Sequence, residues 1–245
     1  VKTPGAVLVF GMVYPTLMAW FYFVQLSQPS AEAQTTPARN LNPLVVAVYG
    51  AAKVFQFAFP VAWVWWFERK RIQPRLPQSA GLGIGLAFGV CVCLGAFAFY
   101  YVISHYTSYL EATPARIRGK IMEFGIEAAP WYILFGLCLS VFHSLLEEYY
   151  WRWFVFGGLR QHLSLVPAMG ISGLAFMSHH VITLAVFLPG YFWEMAAPLA
   201  LAIAAGGAFW AWLYDRSGSL IAPWLSHTVV DFGIMAIGYD MVFGS

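Results

Sequence analysis

The sequence predicts an all-α fold, a polytopic transmembrane helical bundle of about seven spans. Composition is the first observation behind this: of 245 residues, 60% are hydrophobic and only 10% charged, with a mean hydropathy of +0.68, outside the ordinary soluble range. The second is that apolar runs of about 20 residues recur with short polar breaks, the length that crosses ~30 Å of hydrocarbon at ~1.5 Å per residue. The third is that none of these runs alternates like a barrel strand, so each must satisfy its backbone internally as a helix.

The spans are expected near 6–27, 44–67, 80–104, 129–150, 166–188, 195–214 and 218–241, forming a single integral membrane domain over 1–245. The chain opens on Val1, and its first run is too long and too weakly flanked for a cleaved signal peptide. The second run holds Lys53, whose stem can snorkel, and Gln56, and it ends in the aromatic cluster "WVWW" (63–66), which suits an interfacial belt. In the third, "GLGIGLAFG" spaces Gly81, Gly85 and Gly89 four apart, a flat face for a neighbouring helix inside the bundle, with homodimerisation as the second reading. The segment "EATPARIRGKIMEFGIE" (111–127) mixes charges with Ile117, Ile121, Phe124 and Ile126, as an interfacial amphipathic helix does. The fourth run ends in "YYWRW" (149–153), which again suits an interfacial belt.

Basic residues in short loops set the orientation. Arg69, Lys70, Arg71 and Arg75 in "ERKRIQPR" (68–75) form the densest cluster, which places that loop in the cytoplasm. Counting spans then puts 151–165 and 215–217 there too, with Arg152, Arg160 and Arg216, and turns the uncharged loop 189–194 outward. Arg116, Arg118 and Lys120 fall on the outer side against this trend. A formal charge of +2 gives no support for nucleic-acid binding. Cys91, Cys93 and Cys138 lie in apolar runs without metal-like spacing and are expected to be packing residues.

Ionisable groups persist in a membrane chiefly where something uses them. Glu147, Glu148 and Asp231 fall within predicted spans, as do His143, His179, His180 and His227. At ~100° per residue, Glu148 and Arg152 share a helix face and form an ion pair at the membrane edge, while Glu147 points elsewhere, with His143 one turn before it. His180 shares a face with Phe176 and His179 is turned away, so only one of the two histidines is expected to face the core. His227 and Asp231 are again four apart, a spacing that suits a carboxylate fixing a histidine tautomer. Each pair alone is as compatible with a buried structural hydrogen bond as with catalysis, and three on three spans favour chemistry. A desolvated glutamate beside histidines can act as a general base on water.

Taken in order, "EEYYWR", "FMSHH" and "HTVVD" resemble the EExxxR, FxxxH and HxxxN/D motifs of the CPBP family of intramembrane proteases, also called Abi or type II CAAX prenyl endopeptidase-like proteins. The resemblance covers roughly 130–241, the expected catalytic core helices. It implies that Glu147 and His180 activate a water, that His227 and Asp231 stabilise the oxyanion, and that Glu148 and Arg152 support them, with no metal and no cofactor. The expected protein is then a multi-pass protease of the cell membrane, in contact with membrane lipid, that cleaves a peptide or membrane-associated protein, prenylated or not. Ser178 and Ser226 precede histidines directly and point about 100° away from them, poor geometry for a serine nucleophile. A zinc metallohydrolase, a proton-coupled transporter and a non-catalytic immunity protein are the alternatives. Measured along the predicted helices, His180 lies ~20 Å in, deeper than Glu147, and a water-filled cavity open to the cytoplasm would reconcile the two.

Overall fold

A computed structural model describes residues 2–26, 43–69 and 79–244; the basic residues Lys70, Arg71 and Arg75 lie outside them. Among the described residues, seven helices are long and apolar enough to cross a membrane: α1 (Gly5–Gln25), α2 (Ala47–Glu68), α3 (Gly81–Tyr106), α5 (Ala129–Leu159), α6 (Leu165–Phe187), α7 (Phe192–Ser217) and α8 (Ile221–Phe243). The eighth, α4 (Thr113–Glu123), is the expected amphipathic helix between the third and fourth spans. The described residues contain no strand. This is a multi-pass membrane protein.

Small residues let the helices meet at backbone distance, the main source of attraction where lipid is as apolar as leucine. A Cβ built on Gly85 would lie 2.7 Å from Ala222 O, and one on Gly89 2.7 Å from Ser226 O. The glycine face of α3 is therefore occupied by α8 of the same chain. On α6, Gly173 meets the Ala204 carbonyl of α7 in the same way, at 2.5 Å. Tyr150 Oη donates to Gly11 O at 2.6 Å and joins α5 to α1.

The fourth span overturns one boundary. It does not end near 150 but continues to Leu159, through wide-turn π segments at Leu139–His143 and Tyr149–Phe156. Tyr150, Trp151, Phe154 and Phe156 are buried core residues, not an interfacial belt. Arg152 is accordingly no loop charge, and it drops out of the orientation count. "WVWW" meets expectation better, since Trp65 and Trp66 are both 68% exposed.

The discordant basic residues of α4 have a local reason. Thr113 Oγ1 donates to Phe187 O at 3.0 Å, Arg116 to Val186 O at 3.1 Å and Arg118 to Val242 O at 2.5 Å. These carbonyls belong to the last turns of α6 and α8, which have no helical partner and carry partial negative charge. Glu123 accepts from Tyr22 of α1 at 3.2 Å. So α4 lies across one end of the bundle, tied to three spans.

Candidate active site

Glu147 and Glu148 are adjacent on α5 and face different partners. Glu147, 5% exposed, has Oε1 3.4 Å from His143 Nε2 and 3.5 Å from His179 Nε2, with Oε2 3.8 Å from His227 Nε2. Glu148, fully buried, holds Arg152 Nε at 3.0 Å through Oε2 and accepts from His227 Nδ1 at 2.8 Å through Oε1. The Glu148–Arg152 pair forms as expected, but in the protein interior instead of at the membrane edge. The Arg152 guanidinium lies 4.7 Å from the Phe176 ring centre and 5.3 Å from that of Trp210, so two aromatic faces compensate for part of its lost hydration.

The expected tautomer-fixing role of Asp231 is corrected by this arrangement. Nδ1 of His227 is already taken by Glu148, and Asp231 Oδ1 lies 3.5 Å from the other nitrogen, Nε2, on the same side as Glu147. The i, i+4 spacing permits an approach, but a buried carboxylate from another helix makes the shorter bond. The His227 ring also stacks on Trp210 of α7 at 4.2 Å and 20°, and Trp210 Nε1 donates to Ser226 Oγ at 3.0 Å.

The histidine pair departs from expectation too. Both His179 and His180 reach the cluster: one ligand atom from each of Glu147, His179 and His180 lies within 4.8 Å of the others. His179 is the one beside Glu147, its ring parallel to Trp151 at 5.6 Å and 2°. His180 donates from Nδ1 to Phe176 O at 3.0 Å, which leaves Nε2 as an acceptor. Phe176 sits among His179, His180 and His227, with ring centres 4.7–5.9 Å from its own. Sequence reasoning did not assign Phe176, Trp210, His143 or His179 to the site. Trp210 lies only four residues from the end of its expected span, where a tryptophan suits an interfacial belt, so the sequence held no signal for it.

Depths agree once the helices have their true ends. Glu147 stands twelve residues before Leu159, ~18 Å, and His180 fifteen after Leu165, ~22 Å. His227 is only six residues past Ile221, but α8 starts sunk, with Ala222 level with Gly85 of α3. The two ends of the site differ in burial. Toward the end carrying Arg69, Arg160 and Arg216, the site is sealed by Tyr150, Trp151, Arg152, Phe154 and Phe176, all under 4% exposed. Toward the α4 end, residues 177–187 of α6 are all half-buried, and the side chains of His143 and Asp231 are 32% and 27% exposed. The site is therefore less enclosed on its α4 side.

A family model described as type II CAAX prenyl endopeptidase Rce1-like matches residues 129–233. Residues 129–233 are similar to an Rce1-like domain. This segment starts with the first residue of α5 and closes just past Asp231, so it spans the three motif helices and Trp210, while α1 to α4 lie outside the match. Neither a curated protein nor a solved structure matches the chain. The buried Glu/His cluster within the matched segment has the composition of a catalytic site: a carboxylate held among imidazoles, over an ion pair that fixes one of them.

Proposed function

We propose that this protein is a membrane-embedded endopeptidase that hydrolyses a peptide bond of a membrane-associated peptide or protein through a glutamate-activated water. The observation that carries this reading is Glu147, buried and flanked by His143, His179 and His227 at 3.4–3.8 Å. In the reaction, Glu147 removes a proton from water as its oxygen attacks the carbonyl carbon, and returns a proton to the amine nitrogen as the C–N bond breaks. The acceptor Nε2 of His180 helps orient the water. His227, held through Nδ1 by Glu148, turns Nε2 toward the developing oxyanion, with Asp231 beside it. No acyl-enzyme forms. The name of the matching family makes a prenylated C-terminal segment the first substrate to try.

The test is cleavage of internally quenched peptides, farnesylated and plain, by purified protein and by Glu147→Gln. Loss of at least ~10²-fold in kcat, with an unchanged melting temperature, is expected; a fully active variant removes Glu147 from the chemistry.

A second reading has its own observation, because the ligand atoms of Glu147, His179 and His180 are close enough to hold a zinc ion. Metal analysis of active protein before and after chelation separates the two. Stoichiometric zinc, with activity lost on its removal and restored on its return, favours the metallohydrolase.

A further inference from the structure

Away from the buried cluster, two open spaces adjoin where α4 turns into α5. The smaller, about 180 Å³, lies between α4 and the end of α8 and is lined by Arg118, Glu127, Ile126 and Phe243 among others. The larger, about 290 Å³, follows α5 past Trp131, Leu134 and Cys138, and its lining holds no charged residue. Ile126 lines both. The turn that builds this junction is a glycine-terminated helix end: Gly125 takes a φ of +72°, its N–H donates to Met122 O at 2.9 Å, and Ile126 N–H donates to Ile121 O at 3.1 Å. The reversal buries Ile126 and sets the Phe124 ring 6.0 Å from that of Phe135.

Charge distinguishes the two spaces. Arg118 gives one Nη2 bond to Val242 O and holds its guanidinium 5.9 Å from the Phe243 ring centre, which leaves other N–H donors of its fork for a further acceptor. Glu127 lines the same pocket, yet among the described residues no ion pair within 4.0 Å joins it to Arg118. Opposite charges that border one open space without closing on each other suit a ligand carrying both signs: a phosphate accepts from the guanidinium, and an ammonium donates to the carboxylate. The uncharged space beside them suits an acyl chain. Depth agrees with this order, because Trp131, two residues past Ala129 and 61% exposed, is placed as an interfacial tryptophan is. From there to Cys138 the groove follows α5 for ~10 Å toward the hydrocarbon.

We propose that the junction of α4 and α5 is a binding site for an aminophospholipid of the phosphatidylethanolamine type, with its phosphate at Arg118, its ammonium at Glu127 and one acyl chain in the groove along α5. Full-length protein is placed in phosphatidylcholine nanodiscs that carry, as a minor component, one lipid brominated in its acyl chains. Quenching of Trp131 is read as the difference between the protein and its Trp131→Phe variant. Brominated phosphatidylethanolamine is expected to bind about fivefold tighter than brominated phosphatidylcholine, the scale of one exposed ion pair, because choline has no N–H to donate to Glu127. Glu127→Gln should equalise the two lipids at an unchanged melting temperature, and Arg118→Gln should weaken both alike. Equal quenching by the two lipids, a preference that survives Glu127→Gln, quenching indifferent to Arg118→Gln, or a difference that Trp131 does not carry overturns the site. Stronger quenching by brominated phosphatidylglycerol assigns the pocket to an anionic lipid, and release of the brominated lipid by a farnesylated peptide assigns the groove to a substrate tail; either overturns the proposal. None of these readouts requires cleavage, so the lipid site stands or falls apart from the protease reading.

Discussion

Replacing Glu148 by glutamine isolates the buried pair beneath the site. Glu148 and Arg152 are both fully buried, 3.0 Å apart, with Glu148 also holding His227 Nδ1 at 2.8 Å. An exposed pair of this kind would be worth under ~1 kcal/mol. Removing one partner of a buried pair instead strands a charge in a medium that solvates it poorly, at a cost of about 3–5 kcal/mol. For a chain of this length, that lowers the melting temperature by roughly 6–20 °C. The aromatic faces of Phe176 and Trp210 remain beside Arg152 in the variant, which favours the lower end of the range. Replacing both residues, Glu148→Gln with Arg152→Met, removes the stranded charge and should recover most of the loss, since the glutamine carbonyl still accepts from His227. Thermal unfolding in detergent across the four-protein cycle provides the assay. A Glu148→Gln protein melting within about 2 °C of the parent, or a double variant no more stable than the single, refutes the reasoning.

Three other outcomes are expected. Because Glu148 already holds Nδ1 of His227, Asp231→Asn should keep kcat within about tenfold while His227→Ala loses at least ~10²-fold; an asparagine variant as inactive as Glu147→Gln would move Asp231 into the proton-handling groups. Gly89→Val places a Cβ 2.7 Å from Ser226 O, against ordinary contact near ~3.4 Å, and the resulting overpacking should cost about 1–3 kcal/mol of stability and lower kcat through the neighbouring His227. Gly83→Ala, with nothing within 4 Å of its Cβ, is the control and should change neither. Single cysteines at Gln73 and Gly190, with Cys91, Cys93 and Cys138 replaced, should react with an impermeant maleimide from opposite sides of sealed vesicles; labelling of both from one side breaks the span count.

The seven spans were legible because hydrocarbon thickness imposes a length that composition alone reveals. The end of α5 was not. Tyrosine, tryptophan and arginine gather both at interfaces and around a buried cation, and only the packing of α6 and α7 against Tyr150, Trp151 and Arg152 distinguishes the two cases. The same holds at the site. Helical phase separates Glu147 from Glu148 correctly, yet it gives no sign that α8 brings His227 to Glu148 before Asp231 can hold it. Phase also separates His179 from His180, but the space on α6 that admits both comes from neighbouring helices. Arg116 and Arg118 looked misplaced by the charge rule, which counts residues and cannot see that their charge is absorbed by helix ends.

The anchoring of α4 has an evolutionary side. Its donors are particular side chains, Arg116, Arg118 and Thr113, but its acceptors at Val186, Phe187 and Val242 are backbone carbonyls, which almost any residue would supply unchanged. Positions 186, 187 and 242 are therefore free to drift under the demands of lipid and packing without loosening these hydrogen bonds to α4. For these three bonds selection falls on residues of a single eleven-residue helix, so the attachment to α6 and α8 can be retuned between relatives by changing α4, leaving the spans that hold the glutamates and histidines untouched.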